Sequence, residues 1–263
     1  MIVSDGLVNE RPSLAPVVVT AVTFPLVLLA NRFLLPPRLG SPGVLGHQLV
    51  AEFGLLVVTV GIVAWARWWR QTGLAGPWRQ RWWALVPAGL LVVQWLFGLG
   101  GVLARGDPTR LPLVLPLAGM VGFCEETLTR GVMLYGLSRF GALAAGLVTS
   151  AYFGLLHATG FFGGLPGSFL VVQMISAALL GMLFAGLRLR MLSIWPMIVA
   201  HAAFDVPALL EGYPLHVQPV GLFGALFSIG LMLPFGMTGL GLLLWDQLNG
   251  TKLWAAAARA AGA

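Results

Sequence analysis

A chain of 263 residues that is 58% hydrophobic and only 9% charged, with a mean hydropathy of +0.90, lies far from soluble domains, in which about a quarter of residues are charged. That composition excludes an ordinary soluble enzyme or binding module and predicts an all-α, polytopic transmembrane helical bundle. The net charge of +6 and pI near 10.7 do not point to nucleic acid, because the arginines flank apolar runs, where they meet anionic lipid headgroups.

A membrane span takes roughly 20 mostly apolar residues. The apolar runs fit about eight spans, near residues 14–35, 44–65, 83–104, 111–138, 141–162, 169–187, 191–210 and 220–245. The first follows Asp5, Glu10 and Arg11 and is too long for a signal-peptide core, with no small-residue cleavage site after it, so it reads as a retained span. After the second, Trp65, Trp68, Trp69, Trp78, Trp82 and Trp83 interleave with four arginines, the pattern of an interfacial aromatic belt. Arg105-Gly-Asp-Pro108 marks the turn into the fourth span, and Gly163-Gly164-Leu-Pro166-Gly167 the turn out of the fifth. The latter lacks the Gly-Lys-Ser/Thr ending of a phosphate loop.

With the amino terminus inside, the inner side collects Arg11, Arg67, Arg70, Arg79, Arg81, Arg139, Arg188, Arg190, Lys252 and Arg259, and the outer side keeps Arg32, Arg38, Arg105 and Arg110. This asymmetry predicts both termini in the cytoplasm. No composition break, long linker or repeat divides the chain, so residues 1–263 read as a single integral-membrane domain, ending in the low-complexity tail Ala255–Ala263. Small residues recur every four positions at Ala142, Gly146, Ser150, Gly154 and Ala158, and again at Ala177, Gly181 and Ala185. Such ridges let helix backbones approach closely. The lone Cys124 excludes an intramolecular disulfide and reads as packing.

Hydrocarbon penalises ionisable side chains, which persist there with partners and usually with a function. The chain has nine acidic residues and four histidines, yet three signatures fall in apolar stretches: Glu125-Glu126-x-x-x-Arg130, Phe153-x-x-x-His157 and His201-x-x-x-Asp205. Residues four apart share a helix face, and Glu before Arg is the favourable order, so Glu126 pairs with Arg130. Glu125, turned about 100° away, is left for a partner on another helix. Phe153 packs beside His157. Asp205 can accept a hydrogen bond from one imidazole nitrogen of His201 and fix its tautomer. If the three helices meet, they enclose a carboxylate base, two imidazoles and an acid, an inventory suited to water activation and oxyanion stabilisation in amide hydrolysis. His157 lies near the end of its span as drawn, so that span must extend to near Gly164 or tilt for His157 to join the others.

The three signatures together resemble the CPBP intramembrane proteases, also called the CAAX protease or Abi family, over roughly residues 111–210. The resemblance implies that Glu125 and His157 activate the attacking water, that His201 and Asp205 serve the oxyanion, and that Glu126, Arg130 and Phe153 support the site. The prenyl-protein proteases of that family usually carry Asn at the last position. An ionised Asp205 cannot donate to an oxyanion and is better suited to orienting His201. Metalloprotease names occur in the family, and Glu125, His157, His201 and Asp205 have the ligand types that zinc accepts. A glutamate-activated water without metal explains the same residues, and the His-Glu-x-x-His motif of soluble zinc proteases is absent. The implied partners are the bilayer and a peptide or lipidated protein substrate within it. A non-enzymatic bacteriocin-immunity or scaffold protein stays open as an alternative, and behind it a proton-coupled transporter. Fourteen arginines against one lysine suggest a GC-rich bacterial coding sequence, and hence a multi-pass protein of a bacterial cell membrane.

Overall fold

The computed structural model describes residues 12–34, 44–75, 106–191, 193–211 and 217–249, with isolated positions at 89, 92 and 102. Seven long helices account for them, with no strand among the described residues. They are α1 (Ala15–Leu34), α2 (Val44–Ala66), α3 (Leu111–Glu126), α4 (Ala142–Leu156), α5 (Gly167–Arg188), α6 (Trp195–Leu210) and α7 (Leu222–Asn249). Two of them run on in altered winding: α3 widens into a π-helix at Thr127–Met133 before closing turns at Leu134–Leu137, and α4 tightens into a 3-10 helix at His157–Gly163. Five helical rods are long and apolar enough to cross a membrane: Leu45–Ala66, Pro108–Phe140, Ala142–Gly163, Gly167–Arg188 and Leu222–Asn249. Ala15–Asn31 and Trp195–Leu210 are shorter apolar helices. The molecule is thus an integral membrane helical bundle. The span expected at 83–104 lies outside the described residues, as do both termini and the tail.

The two ends of the bundle differ in chemistry. At one end lie the turns carrying Arg67, Arg70, Arg139, Arg188 and Arg190; the turn after α2 is tied to the one after α5 by Ile194 N, which donates to Gly73 O at 3.2 Å, and by the Arg188 guanidinium, whose Nη2 donates to Gln71 O at 2.9 Å. Arg190 also pairs with Asp246 of α7 at 3.1 Å. At the opposite end Asp107 N donates to Leu210 O at 3.3 Å, and Val220 N to the Ser168 hydroxyl at 2.9 Å. There Asp107 caps the entry to α3 by accepting from the Thr109 hydroxyl and amide. These bonds, with Arg110 beside them, hold its carboxyl below the usual carboxylate range. The cap is therefore intact above the ordinary carboxylate value and lost as the pH falls through the lowered one.

The expected aromatic belt is only partly a belt. Trp65 and Trp69 are exposed, but Trp68 is buried and meets Tyr135 edge-on at 4.8 Å between ring centroids. The cause is local: Arg67 takes a left-handed conformation (φ 58°), which ends α2 with Trp68 N bonded back to Val63 O and turns Trp68 inward. Trp78, Trp82 and Trp83 fall outside the described residues.

The small-residue ridges meet as close helix contacts. Gly154 on α4 faces the Met174 carbonyl and Ala178 of α5, and Gly181 of α5 faces Ser150 of α4. On α3, a Cβ at Gly122 would stand 2.8 Å from Ile198 O and 3.1 Å from Ala202 N, so α6 lies directly on the backbone of α3. The tightest crossing is on α7, where a Cβ at Gly239 would strike the backbone of Met182 and Leu183, whereas Gly241 faces open space. Gly239→Val is therefore expected to cost about 1–3 kcal/mol through overpacking that backbone cannot relieve. Thermal unfolding in detergent checks it, with Gly241→Val expected to melt close to the parent; equal melting of the two variants would refute the crossing.

Candidate active site

The site begins with the winding of α3. Just after Glu125-Glu126 the helix widens, and the Thr129 hydroxyl donates to the Glu125 carbonyl. Local π winding of this kind recurs at functional sites because it displaces side chains from their α-helical positions. Here it delivers Arg130 into the interior. Its Nη1 donates to Glu126 Oε1 at 3.1 Å and to the Thr129 hydroxyl at 2.7 Å, and both side chains of the ion pair are fully buried.

The guanidinium is otherwise held by aromatic faces. Its carbon sits 4.2 Å from the Phe153 ring centroid and 5.9 Å from that of Phe184, distances at which cation–π attraction operates, strongest where water is excluded. Gly181 supplies the room: a Cβ there would lie 2.6 Å from Arg130 Nη2. The Glu126–Arg130 pair predicted from the sequence is present. The further roles of Thr129, Phe184 and Gly181 were not predicted, although Gly181 stood in the small-residue ridge.

Glu126 makes a second contact, across helices. His201 Nδ1 lies 2.7 Å from Glu126 Oε1, so one carboxylate oxygen receives both the arginine and the imidazole. A carboxylate oxygen accepts, so Nδ1 carries the proton. The partner that fixes the His201 ring is therefore Glu126 rather than Asp205. Asp205 reaches the opposite nitrogen instead: its Oδ2 stands 3.5 Å from Nε2, and Glu125 Oε2 stands 3.6 Å from the same nitrogen. The spacing expectation of an Asp205–His201 contact is met at Nε2, but spacing along one helix shows only local partners, and the Nδ1 acceptor comes from α3, brought close by the contact at Gly122.

His157 stands on the first residue of the 3-10 continuation of α4, which carries that rod on to Gly163. Extension of the span, rather than tilt alone, thus accounts for its depth. His157 Nδ1 lies 2.9 Å from the Phe153 carbonyl, which can only accept, so the proton is on Nδ1 and the lone pair on Nε2. Phe153 joins the two halves of the site. It meets His157 edge-on at 5.1 Å and His201 edge-on at 5.9 Å, with Arg130 on its face. Glu125, Glu126, Arg130, His201 and Asp205 are thus brought together directly, and His157 joins them through the Phe153 ring.

Both Nδ1 atoms are committed to protein acceptors. Among the described residues no group of three His, Cys, Asp or Glu side chains is disposed to hold a metal ion.

Comparisons with known proteins bear on this same segment. Neither the curated proteins nor the solved structures provide a match to the chain. A family model does: residues 107–207 match the type II CAAX prenyl endopeptidase Rce1-like family. The matched segment holds all three signatures, from Glu125 to Asp205, and the helices α3 to α6 that place them. Over residues 107–207 the chain is thus similar to the CPBP, or CAAX protease, family.

Proposed function

We propose that this protein is an intramembrane endopeptidase that hydrolyses a peptide bond of a membrane-associated substrate, with residues 1–263 as one integral-membrane domain of a bacterial cell membrane. The observation that carries the reading is the convergence of Glu125, His201 and Asp205 at one imidazole nitrogen, over a buried Glu126–Arg130 floor and beside His157.

The division of labour follows from the protons. His157, with its proton on Nδ1, offers an Nε2 lone pair, and Glu125 offers a carboxylate; together they take the proton of the attacking water. Around His201 the inventory is different. Two carboxyl oxygens within 3.6 Å of Nε2 put negative charge opposite that nitrogen, which favours a proton on it. An Nε2–H so placed can donate to the developing oxyanion and then to the leaving amine. Glu126 holds the ring, and Asp205 keeps that proton on the reacting side. The Arg130 charge balances Glu126.

His157→Ala is the direct test, because His157 lies outside the buried ion pair. It is expected to lower the cleavage rate of a reconstituted reporter substrate by roughly 10²–10⁴-fold with an unchanged melting temperature. Cleavage at the parent rate by the folded variant would remove His157 from the reaction.

A further inference from the structure

We propose that Glu52 of α2 is a positioning residue of the candidate site, a fourth acid whose charge acts on Glu125 and through it on the attacking water. The proposal rests on the protease reading for the reaction; the placement of Glu52 beside Glu125 stands on helix packing.

Glu52 lies inside the apolar α2, outside the three signatures and outside the matched residues 107–207. Hydrocarbon penalises a carboxyl there as it does within the signatures. At one level Leu45 and Leu49 of α2 pack with Val114, Leu117 and Ala118 of α3. Further along, Leu55 and Ile62 pack with Cys124 and Leu128. The two helices therefore run side by side in the same direction, and Glu52 falls between the two levels. At about 100° per residue it shares the face of Leu49, Leu55 and the buried Thr59, opposite the exposed Val50, Phe53 and Val57. Its Oε2 is closed off from solvent. Asn31 of α1 donates to the Ala51 carbonyl at 3.3 Å and so fixes the backbone beside it.

Glu125 stands where α2 and α6 both reach α3. Gly122 faces α6, and Cys124 packs in the cluster with α2. Glu125 lies about 100° on from Cys124 and about 60° short of Gly122 around the helix, on the strip between those two contacts. From α6 it meets His201 Nε2 at 3.6 Å, with Asp205 beside the same nitrogen. From α2 the charge of Glu52 reaches both Glu125 and Cys124. Acids on two different helices thus flank the base. A like charge disfavours the ionised form of its neighbour, so a carboxylate faced by a second carboxyl takes up a proton more readily, as a general base must when water attacks. Glu52 supplies that charge from outside the three signatures, and Glu125 remains the group that takes the proton.

The test compares Glu52→Gln, which removes the charge and keeps the shape, with Glu52→Asp, which keeps the charge. Both full-length variants are assayed in the parent's lipid on one fluorogenic peptide. Glu52→Gln is expected to lower kcat by roughly 3–10-fold with KM and melting temperature unchanged, and Glu52→Asp to recover most of that loss. In a Glu125→Gln background, Glu52→Gln should lower the residual turnover no further, because its effect passes through Glu125. Parent kcat in folded Glu52→Gln, an Asp variant as slow as the Gln variant, or the same fold-loss in both backgrounds would overturn the proposal. Infrared spectra of the same samples need no turnover. The carboxyl bands that vanish in Glu125→Gln should appear at altered frequency in Glu52→Gln and near the parent frequency in Glu52→Asp; unchanged bands in Glu52→Gln would refute the link. A chain that shows this spectral link yet cleaves nothing would sink the protease reading and leave the coupling of Glu52 to Glu125 intact.

Discussion

Glu125→Gln is expected to lower the rate of peptide cleavage by roughly 10²–10⁴-fold with little change in stability. The amide is isosteric with the carboxylate and can still meet His201, from which Glu125 Oε2 stands 3.6 Å, but it cannot take a proton from water. Structural dependence on this group is small: unlike its neighbour Glu126, Glu125 is partly exposed and lies beyond hydrogen-bond distance of Nε2. The loss should appear in kcat, since a base acts in the transition state and contributes little to holding the substrate. Purified variant and parent in the same lipid, assayed on one fluorogenic peptide with melting curves alongside, decide the matter. Normal processing by Glu125→Gln would sink the protease reading and favour a polar cluster that only holds helices together.

The contrast between Glu125 and Glu126 also shows how far the sequence could be read. Spacing sufficed for what a single helix determines: the Glu126–Arg130 pair, the Phe153–His157 neighbours and the positions of the described helices, although Ala15–Asn31 and Trp195–Leu210 are shorter than the spans expected there. It was silent on contacts between helices, because a carboxylate on α3 and an imidazole on α6 are 75 residues apart and nothing in their spacing links them. Composition also hid the exceptions. Trp68 has the residue type and the neighbours of a belt tryptophan, and only the left-handed turn at Arg67 sends it inward. The π winding at Thr127–Met133 was equally invisible, since the Glu-Glu-x-x-x-Arg spacing satisfies a regular helix. Where small residues recur at a fixed interval, sequence did anticipate tertiary packing, because close approach of backbones requires such residues.

Arg130→Met is expected to destabilise the protein by about 3–5 kcal/mol, the range found when one member of a buried pair is removed and its partner is left charged. Three contacts disappear at once: the bonds to Glu126 and Thr129 and the stack on Phe153. Glu126 then faces His201 alone, so the ring that should present Nε2 loses its fixed setting and activity falls with stability. Arg130→Lys is expected to rescue little. An ammonium can neutralise Glu126, but it lacks the planar, delocalised cation that sits over the Phe153 ring. The double variant Glu126→Gln with Arg130→Met separates structure from chemistry. Removing both charges spares the protein a buried unpaired carboxylate, so its melting temperature should recover toward the parent, with a coupling of about 0.5–3 kcal/mol between the two positions. The amide that replaces the Glu126 carboxylate retains a carbonyl for Nδ1 but no negative charge opposite the imidazole, so turnover should stay depressed despite the recovered fold. Additive melting-temperature losses in that cycle would show that Glu126 and Arg130 do not act as a pair. A double variant as active as the parent would show that the pair serves stability alone, leaving Glu125, His157, His201 and Asp205 to act without the floor beneath them.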